Sequence, residues 1–122
     1  MAGALGRHAL IIEDEMLIAL EVETLLEDLG FESFDIADTE DEALHCAERH
    51  RPDLITADIR IIGGSGIAAV RAITEALGAI PVVYVTGNPD LVGGQNSVAV
   101  VDKPIAPRAL AAACARVCKA AA

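Results

Sequence analysis

Short apolar runs alternate along the chain with longer segments in which apolar residues recur every three or four positions. The short runs are typical of buried strands, and they lie at residues 8–12, 33–37, 53–57, 82–85 and 98–101. The longer segments are typical of helices that bury one face, and they lie at residues 15–29, 40–50, 67–77 and 107–119. The pattern therefore predicts a chain in which strands and helices alternate.

Residues that begin or end helices stand at the borders of these segments. Gly30 follows the first helical segment, where a glycine commonly ends a helix. Thr39 and Glu42 have the spacing of a capping box, and Pro52 cannot continue the helix before it. Residues 63–66 (GGSG) predict a loop that precedes the third helix.

Strands that are apolar on both faces are typical of a parallel sheet covered by helices on both sides. With right-handed crossovers, the predicted fold class is α/β, a doubly wound five-stranded parallel sheet. We expect this sheet to form one domain over residues 8–119, between tails at residues 1–7 and 120–122. A chain of 122 residues is long enough to bury a core of this kind.

Composition and charge narrow the class of function. Aromatic residues make up 2% of the chain, which argues against a stacking platform for single-stranded nucleic acid. The formal net charge is −10, which would repel phosphate backbones, so no direct nucleic-acid partner is expected. Residues 13–48 hold fourteen of the nineteen acidic residues and none of the nine Lys and Arg residues. The net negative charge therefore comes from about one third of the chain.

The cysteines and the lengths of the apolar runs indicate in which cellular compartment the protein is expected. Cys46, Cys114 and Cys118 do not form the pattern of a secreted disulfide scaffold, and we expect them to fill the core or the surface. No apolar run reaches the roughly 18 residues of a membrane span, and residues 1–12 lack a signal-peptide pattern. These features predict a cytoplasmic protein with no membrane partner.

Reactive side chains follow four of the five predicted strands, at the point where each strand ends. Glu13 and Asp14 follow the first strand, Asp58 the third, Thr86 the fourth, and Lys103 closely follows the fifth. The carboxyl ends of parallel strands meet at one edge of a sheet, where sites of this fold class form. Converging carboxylates repel one another unless a cation lies among them, and carboxylates with retained waters suit Mg²⁺. The set fits a carboxylate that accepts a phosphoryl group, with Mg²⁺ shielding the charge.

Each of these side chains taken alone would also be explained as a helix cap. Their joint occurrence at four strand ends favours a single site. No catalytic Ser–His–Asp grouping is apparent, and His8, His45 and His50 fall away from this edge, where we expect structural or solvated roles.

Five motifs occur together over about residues 8–118, and they are LIIEDE at 10–15, PDLITADI at 52–59, GGSG at 63–66, YVTGN at 84–88 and DKP at 102–104. In combination they resemble the receiver domain of response regulators in two-component signalling. The resemblance implies the flavodoxin-like receiver fold. It also implies a phosphoacceptor signalling protein that catalyses only its own phosphorylation and dephosphorylation, rather than an enzyme acting on other substrates.

The resemblance assigns roles by position. Asp58 matches the phosphoacceptor, Asp14 the main Mg²⁺ carboxylate and Glu13 its acidic partner. The backbone carbonyl of Arg60 would complete the metal ligands. Thr86 matches the hydroxyl that moves towards the phosphoryl group. Lys103 matches the lysine that pairs with that group, and the Lys103–Pro104 peptide bond is expected to be cis.

Three features depart from the family pattern. Ile62 stands where a proline is usual, and Val100 stands where many receivers have a Tyr or Phe that swings with the threonine. Lys103 lies seventeen positions after Thr86, several fewer than is usual in the family. We therefore expect the family's fourth helix, which lies between the fourth and fifth strands, to be short or irregular.

Within the family, the motifs are most similar to the receiver half of the alphaproteobacterial general-stress regulator and to related single-domain receivers. The leading hypothesis is a single-domain response regulator that is phosphorylated by a histidine kinase or histidine phosphotransferase and then binds a downstream protein. The alternatives are an adaptor that binds partners without a switch, and a receiver fragment of a longer stress-response regulator. A Mg²⁺-dependent phosphohydrolase is disfavoured because Asp58 lacks a second acid two residues later.

Overall fold

The computed structural model describes residues 6–87 and 99–121. In chain order the elements are β1 (Arg7–Ile12), α1 (Met16–Asp28), β2 (Phe31–Ala37), α2 (Glu40–Arg49), β3 (Leu54–Ala57), β4 (Arg60–Ile61), β5 (Gly64–Ser65), α3 (Gly66–Leu77), β6 (Val82–Thr86), β7 (Ala99–Asp102) and α4 (Pro107–Ala121). The strands and helices expected from the apolar pattern are all present, with ends that agree within two residues. The short or irregular helix predicted between the fourth and fifth strands of the sheet falls on residues 88–98, which lie outside the described residues.

The main sheet confirms the predicted fold class. Its five strands are parallel and lie in the order β2-β1-β3-β6-β7. The order extends from β1 to β2 on one side and from β3 through β6 to β7 on the other. Ligand sites in such sheets lie where the order reverses, outside the carboxyl ends of the strands. The topology therefore places a candidate site beyond the ends of β1 and β3.

Alternate residues of the strands enter two separate cores, because successive side chains of a strand point to opposite faces. Ile11 of β1 packs in a cluster that includes Leu26 of α1 and Leu110 of α4. Its neighbours Leu10 and Ile12 pack in a second cluster, formed with α2 and α3. Both faces of the sheet are thus covered by helices, which accounts for the apolar character of β1 on both sides.

The predicted loop at residues 63–66 is wrong in detail. The structure has a small antiparallel hairpin of β4 and β5, and α3 begins at Gly66. Gly63 turns the chain between the two strands with a φ of +73°, a conformation that favours glycine. Ser65 then caps α3, since its hydroxyl accepts hydrogen bonds from the amides of Ile67 and Ala68. Two strands of two residues each are too short to leave a periodic pattern.

The predicted helix borders at Gly30 and Thr39 are confirmed. Gly30 follows α1 with a φ of +103°, and the hydroxyl of Thr39 accepts a hydrogen bond from the amide of Glu42 at 3.1 Å. Among the described residues, no helix combines the length and the apolar character that crossing a lipid bilayer would need.

The buried histidine has a structural role, as expected, but its partners were not foreseen. His8 is 4% exposed, and its ring nitrogens lie 2.7 Å from the Ser33 hydroxyl and 3.0 Å from an Asp35 carboxylate oxygen. The pairing of β1 with β2 brings these three side chains together, and no local pattern in the sequence signals the contact. It lies towards the amino end of the sheet and joins two neighbouring strands.

Candidate functional site

The carboxyl ends of β1 and β3 bring the acidic residues together. The two strands pair in parallel, and the amide of Asp58 donates to the carbonyl of Ile12 at 2.9 Å. Asp58 is therefore the first residue after β3, and it lies directly beside Glu13 and Asp14. One carboxylate oxygen from each of these three acids lies within 4.8 Å of the others.

The pairing of β6 with β7 brings the hydroxyl and the amine to the same edge. Thr86 lies opposite Asp102 in the pairing, and the amide of Lys103 donates to the carbonyl of Thr86 at 3.1 Å. Thr86 is fully buried at the end of β6. The Lys103–Pro104 peptide bond is cis, as the family resemblance led us to expect.

The ammonium of Lys103 joins the two sides of this edge. Its Nζ lies 2.8 Å from Asp58 Oδ2 and 2.9 Å from Glu13 Oε1. Hydrogen bonds between ionised partners at this distance are among the stronger polar contacts in proteins. The lysine therefore neutralises part of the charge of two acids that are only 4% and 8% exposed.

Burial and neighbouring charges shift the pKa values of Glu13 and Lys103 in opposite directions. Burial raises the pKa of the Glu13 carboxyl, and the hydrogen bond and charge of Lys103 oppose this without cancelling it. Burial lowers the pKa of Lys103, but the hydrogen bonds and the negative charges of Asp58 and Glu13 together outweigh it, so the net shift is upward. The lysine is accordingly a fixed positive charge at the strand ends.

The three acids fit a divalent cation. Glu13 and Asp58 are buried and Asp14 is half-buried, and one cationic side chain does not balance three carboxylates. Hard oxygen donors of this kind suit Mg²⁺, which keeps several of its waters. The amide of Arg60 lies 3.4 Å from Asp58 Oδ1, so the segment after Asp58 folds back towards the same carboxylate.

A cavity of about 420 Å³ opens onto these groups. It is lined by Asp14, Glu15, Asp58, Arg60, Gly87 and Lys103. The small residue Gly87 leaves space next to the buried end of β6. The site thus combines a carboxylate that lines a cavity, an ammonium group and further acids, the set of groups needed to receive a phosphoryl group beside a cation.

All six sequence-predicted site residues lie at this edge, and three further residues were missed. Glu15 is exposed, yet it lines the cavity and its Oε1 lies 3.9 Å from Lys103 Nζ. A Cβ atom at Gly66 would lie 1.8 Å from the Asp58 carbonyl oxygen, so only glycine permits this close approach. Glu40 of α2 accepts a hydrogen bond from the Ser65 amide at 2.8 Å.

Different signals would have been needed to find these three. The GGSG run is a visible signal for Gly66, but by itself it predicts only a loop. The contacts of Glu15 and Glu40 depend on tertiary packing and leave no local pattern.

Comparison with known proteins now decides the family. The family model of the response regulator receiver domain matches residues 9–115. The chain belongs to this family. The roles of the individual site residues remain predictions, since the match concerns the domain as a whole.

Similar proteins include the phyllosphere-induced regulator PhyR of Methylorubrum extorquens, which is 38% identical over 112 residues, covering 88% of this chain and 42% of PhyR. The receiver domain of Erythrobacter litoralis PhyR has a TM-score of 0.82 at 32% identity, covering 93% of this chain and 92% of that structure. The anti-anti-sigma factor PhyR of Bartonella quintana has a TM-score of 0.80 at 35% identity, covering 92% of this chain and 47% of that structure. The chain thus spans less than half of the curated PhyR sequence that it matches.

Proposed function

We propose that this receiver domain accepts a phosphoryl group on Asp58 from a phosphohistidine of a histidine kinase or a histidine phosphotransferase. The observation that carries the proposal is the placement of the Asp58 carboxylate. It lies at an open cavity, 2.8 Å from the Lys103 ammonium and beside two further acids. A purely structural ion pair would not need an open cavity or two additional acids.

In the proposed step, a carboxylate oxygen of Asp58 forms a bond to phosphorus as the phosphorus–nitrogen bond of phosphohistidine breaks. The leaving imidazole nitrogen keeps the electron pair of that bond. Lys103 stays beside the acceptor and can pair with an oxygen of the transferred group. Thr86 lies at the same edge, where its hydroxyl would donate to another phosphoryl oxygen after a local movement.

Glu13, Asp14, Asp58 and the Arg60 carbonyl are the groups that we propose hold Mg²⁺. When bound there, the cation would offset the negative charge that builds up on the phosphoryl oxygens. The residues themselves supply the rest: they orient the acceptor, and the buried surroundings of Glu13 strengthen each charge interaction.

The exposed part of α1 supports docking of a helical phosphodonor. Met16, Leu17 and Leu20 are 58%, 84% and 45% exposed, and they lie directly after the acids of the site. An apolar surface of this kind on a soluble domain commonly marks a protein interface. We propose that the donor packs here and presents its phosphohistidine to the cavity.

The same proposal includes the step after phosphorylation, in which the domain regulates a downstream protein by binding it. The Bartonella quintana relative is described as an anti-anti-sigma factor, and regulation of a downstream protein is the corresponding proposal for this chain. The chain would act as a single-domain regulator or as the receiver part of a longer stress-response regulator. We also propose a cytoplasmic location, to which the three free cysteines are suited.

The test is phosphorylation by acetyl phosphate, followed by intact-mass analysis with and without Mg²⁺. The wild-type chain should gain one phosphoryl group in the presence of Mg²⁺, and the D58N variant should gain none. D53N is a matched control, because Asp53 lies just before β3, at the end of the strand opposite to Asp58. Its carboxylate accepts a hydrogen bond from the His8 amide. Equal labelling of D58N and D53N would contradict the proposal.

A constitutive adaptor is the second candidate, and Val100 is the observation that favours it. This half-buried residue of β7 lies opposite Tyr84 of β6 and offers no aromatic ring to swing with Thr86. An adaptor would bind its partner without a switch. Shifts of the amide resonances of residues 99–105 on addition of beryllofluoride would exclude this candidate.

A further inference from the structure

The hairpin after Asp58 places backbone groups on two opposite edges. The Gly66 amide donates to the Ile59 carbonyl at 2.8 Å, so these two residues form a hydrogen-bonded pair. Hydrogen-bonded and non-hydrogen-bonded pairs alternate in antiparallel strands. The next pair, Arg60 and Ser65, is therefore of the second kind. The backbone polar groups of both residues point away from the hairpin.

The two edges face different parts of the molecule. On one edge, the Arg60 amide points to Asp58 Oδ1 at 3.4 Å, and Arg60 lines the cavity. On the other edge, the Ser65 amide donates to Glu40 Oε2 at 2.8 Å. The hairpin thus lies between the acceptor carboxylate and the first residue of α2.

The contact with Glu40 is close as well as polar. A Cβ atom added to Gly64 would lie 1.9 Å from Glu40 Oε2, so the hairpin packs directly against this carboxylate. Glu40 is half-buried, and Ser65 is also the cap of α3. Without an acceptor, the Ser65 amide would lose a charge-assisted hydrogen bond in a partly buried position.

We infer that Glu40 is a positioning residue for the phosphorylation site. It holds the Ser65 edge of the hairpin and so fixes the opposite edge, which presents the Arg60 backbone to Asp58 and to the cation. The inference rests on the proposed function, because it concerns the site that would hold Mg²⁺. Groups that orient metal ligands in this indirect way typically change metal affinity by tenfold or more when they are altered.

Two substitutions separate the hydrogen bond from the charge. E40Q removes the charge but keeps an oxygen that accepts the Ser65 amide. E40D keeps the charge but withdraws the carboxylate by one methylene group. D41N is the matched control, because Asp41 is the next residue of the same helical turn and is exposed.

The measurement is a Mg²⁺ titration followed by amide chemical shifts, with hydrogen exchange of the Ser65 amide as a second readout. We expect E40D to raise the Kd for Mg²⁺ roughly tenfold and to accelerate exchange at Ser65. E40Q and D41N should stay close to wild type in both readouts. Retained chemical-shift dispersion shows that each variant is folded.

The outcomes distinguish a failure of the positioning role of Glu40 from a failure of the proposed metal site. If wild type binds Mg²⁺ and E40D binds it equally well, or if E40Q weakens binding more than E40D, the positioning role is wrong and the proposed function stands. If wild type shows no Mg²⁺-dependent shifts at residues 13–14 and 58–60, both the positioning role and the proposed metal site are overturned.

Discussion

Replacing Lys103 by methionine removes the ammonium group that holds Glu13 and Asp58 together. The side chain keeps a similar length, but two carboxylates that are 4% and 8% exposed lose partners at 2.9 Å and 2.8 Å. Removing one partner of a buried ion pair costs about 3–5 kcal/mol. Because a cavity admits water to this site, we expect the lower end of that range.

The free energy of unfolding should fall by about 3 kcal/mol in metal-free buffer. This corresponds to a Tm lower by about 10 °C for a domain of this size. Urea unfolding followed by circular dichroism measures the loss directly. R116M is the matched control, since Arg116 is an exposed cation of α4 and its removal should change stability by less than about 0.5 kcal/mol.

Two further results would identify the cause as uncompensated negative charge. Mg²⁺ should stabilise K103M more than wild type, because the variant site has lost its own cation. Binding at ten times Kd contributes about 1.4 kcal/mol, so the difference is measurable. Adding D58N to K103M should recover part of the loss. A K103M protein as stable as R116M, or an equal gain from Mg²⁺ in wild type and variant, would refute this reasoning.

Three other predictions concern a cap, a glycine and a buried thiol. T39A should lower the free energy of unfolding by about 1 kcal/mol, because the hydroxyl of Thr39 caps α2, and T39S should restore it in the same urea titration. G66A should displace the segment after Asp58, since the new Cβ would lie 1.8 Å from the Asp58 carbonyl oxygen; slower labelling by acetyl phosphate than in a G30A control would show this. Burial raises the pKa of the Cys114 thiol from 9.0 to about 11. The folded state therefore holds this proton more tightly, and its contribution to stability is lost as pH rises from about 9 through 11. Urea unfolding at pH 8 and pH 10.5 should show a smaller decrease for C114A than for wild type, and equal decreases would contradict the assignment.

The sequence was sufficient for the sheet and for most of the site because both depend on local patterns. The central strands β1 and β3 are buried on both faces, so they appear as continuous apolar runs that end at Glu13 and Asp58. Parallel pairing then has one geometric consequence, namely that residues after the strands meet at one edge. Lys103 and Thr86 could be added to the site by the same argument.

The hairpin and the contacts across the fold could not be predicted in this way. Strands of two residues, such as Arg60–Ile61, leave no alternation to detect. The bond from Glu40 to Ser65 joins residues 25 positions apart, and it depends on how α2 packs beside the hairpin. The hydrogen bonds that link Ser33, His8 and Asp35 likewise follow from the pairing register of β1 and β2.

The most direct test of the phosphoacceptor role is to locate the phosphoryl group in the chain. Borohydride reduces an aspartyl phosphate to homoserine, which tandem mass spectrometry can assign to a single residue. After treatment with acetyl phosphate and Mg²⁺, homoserine should be found at position 58 and should be absent when Mg²⁺ is omitted. Homoserine at position 14 instead, or no homoserine in either sample, would contradict the assignment of Asp58.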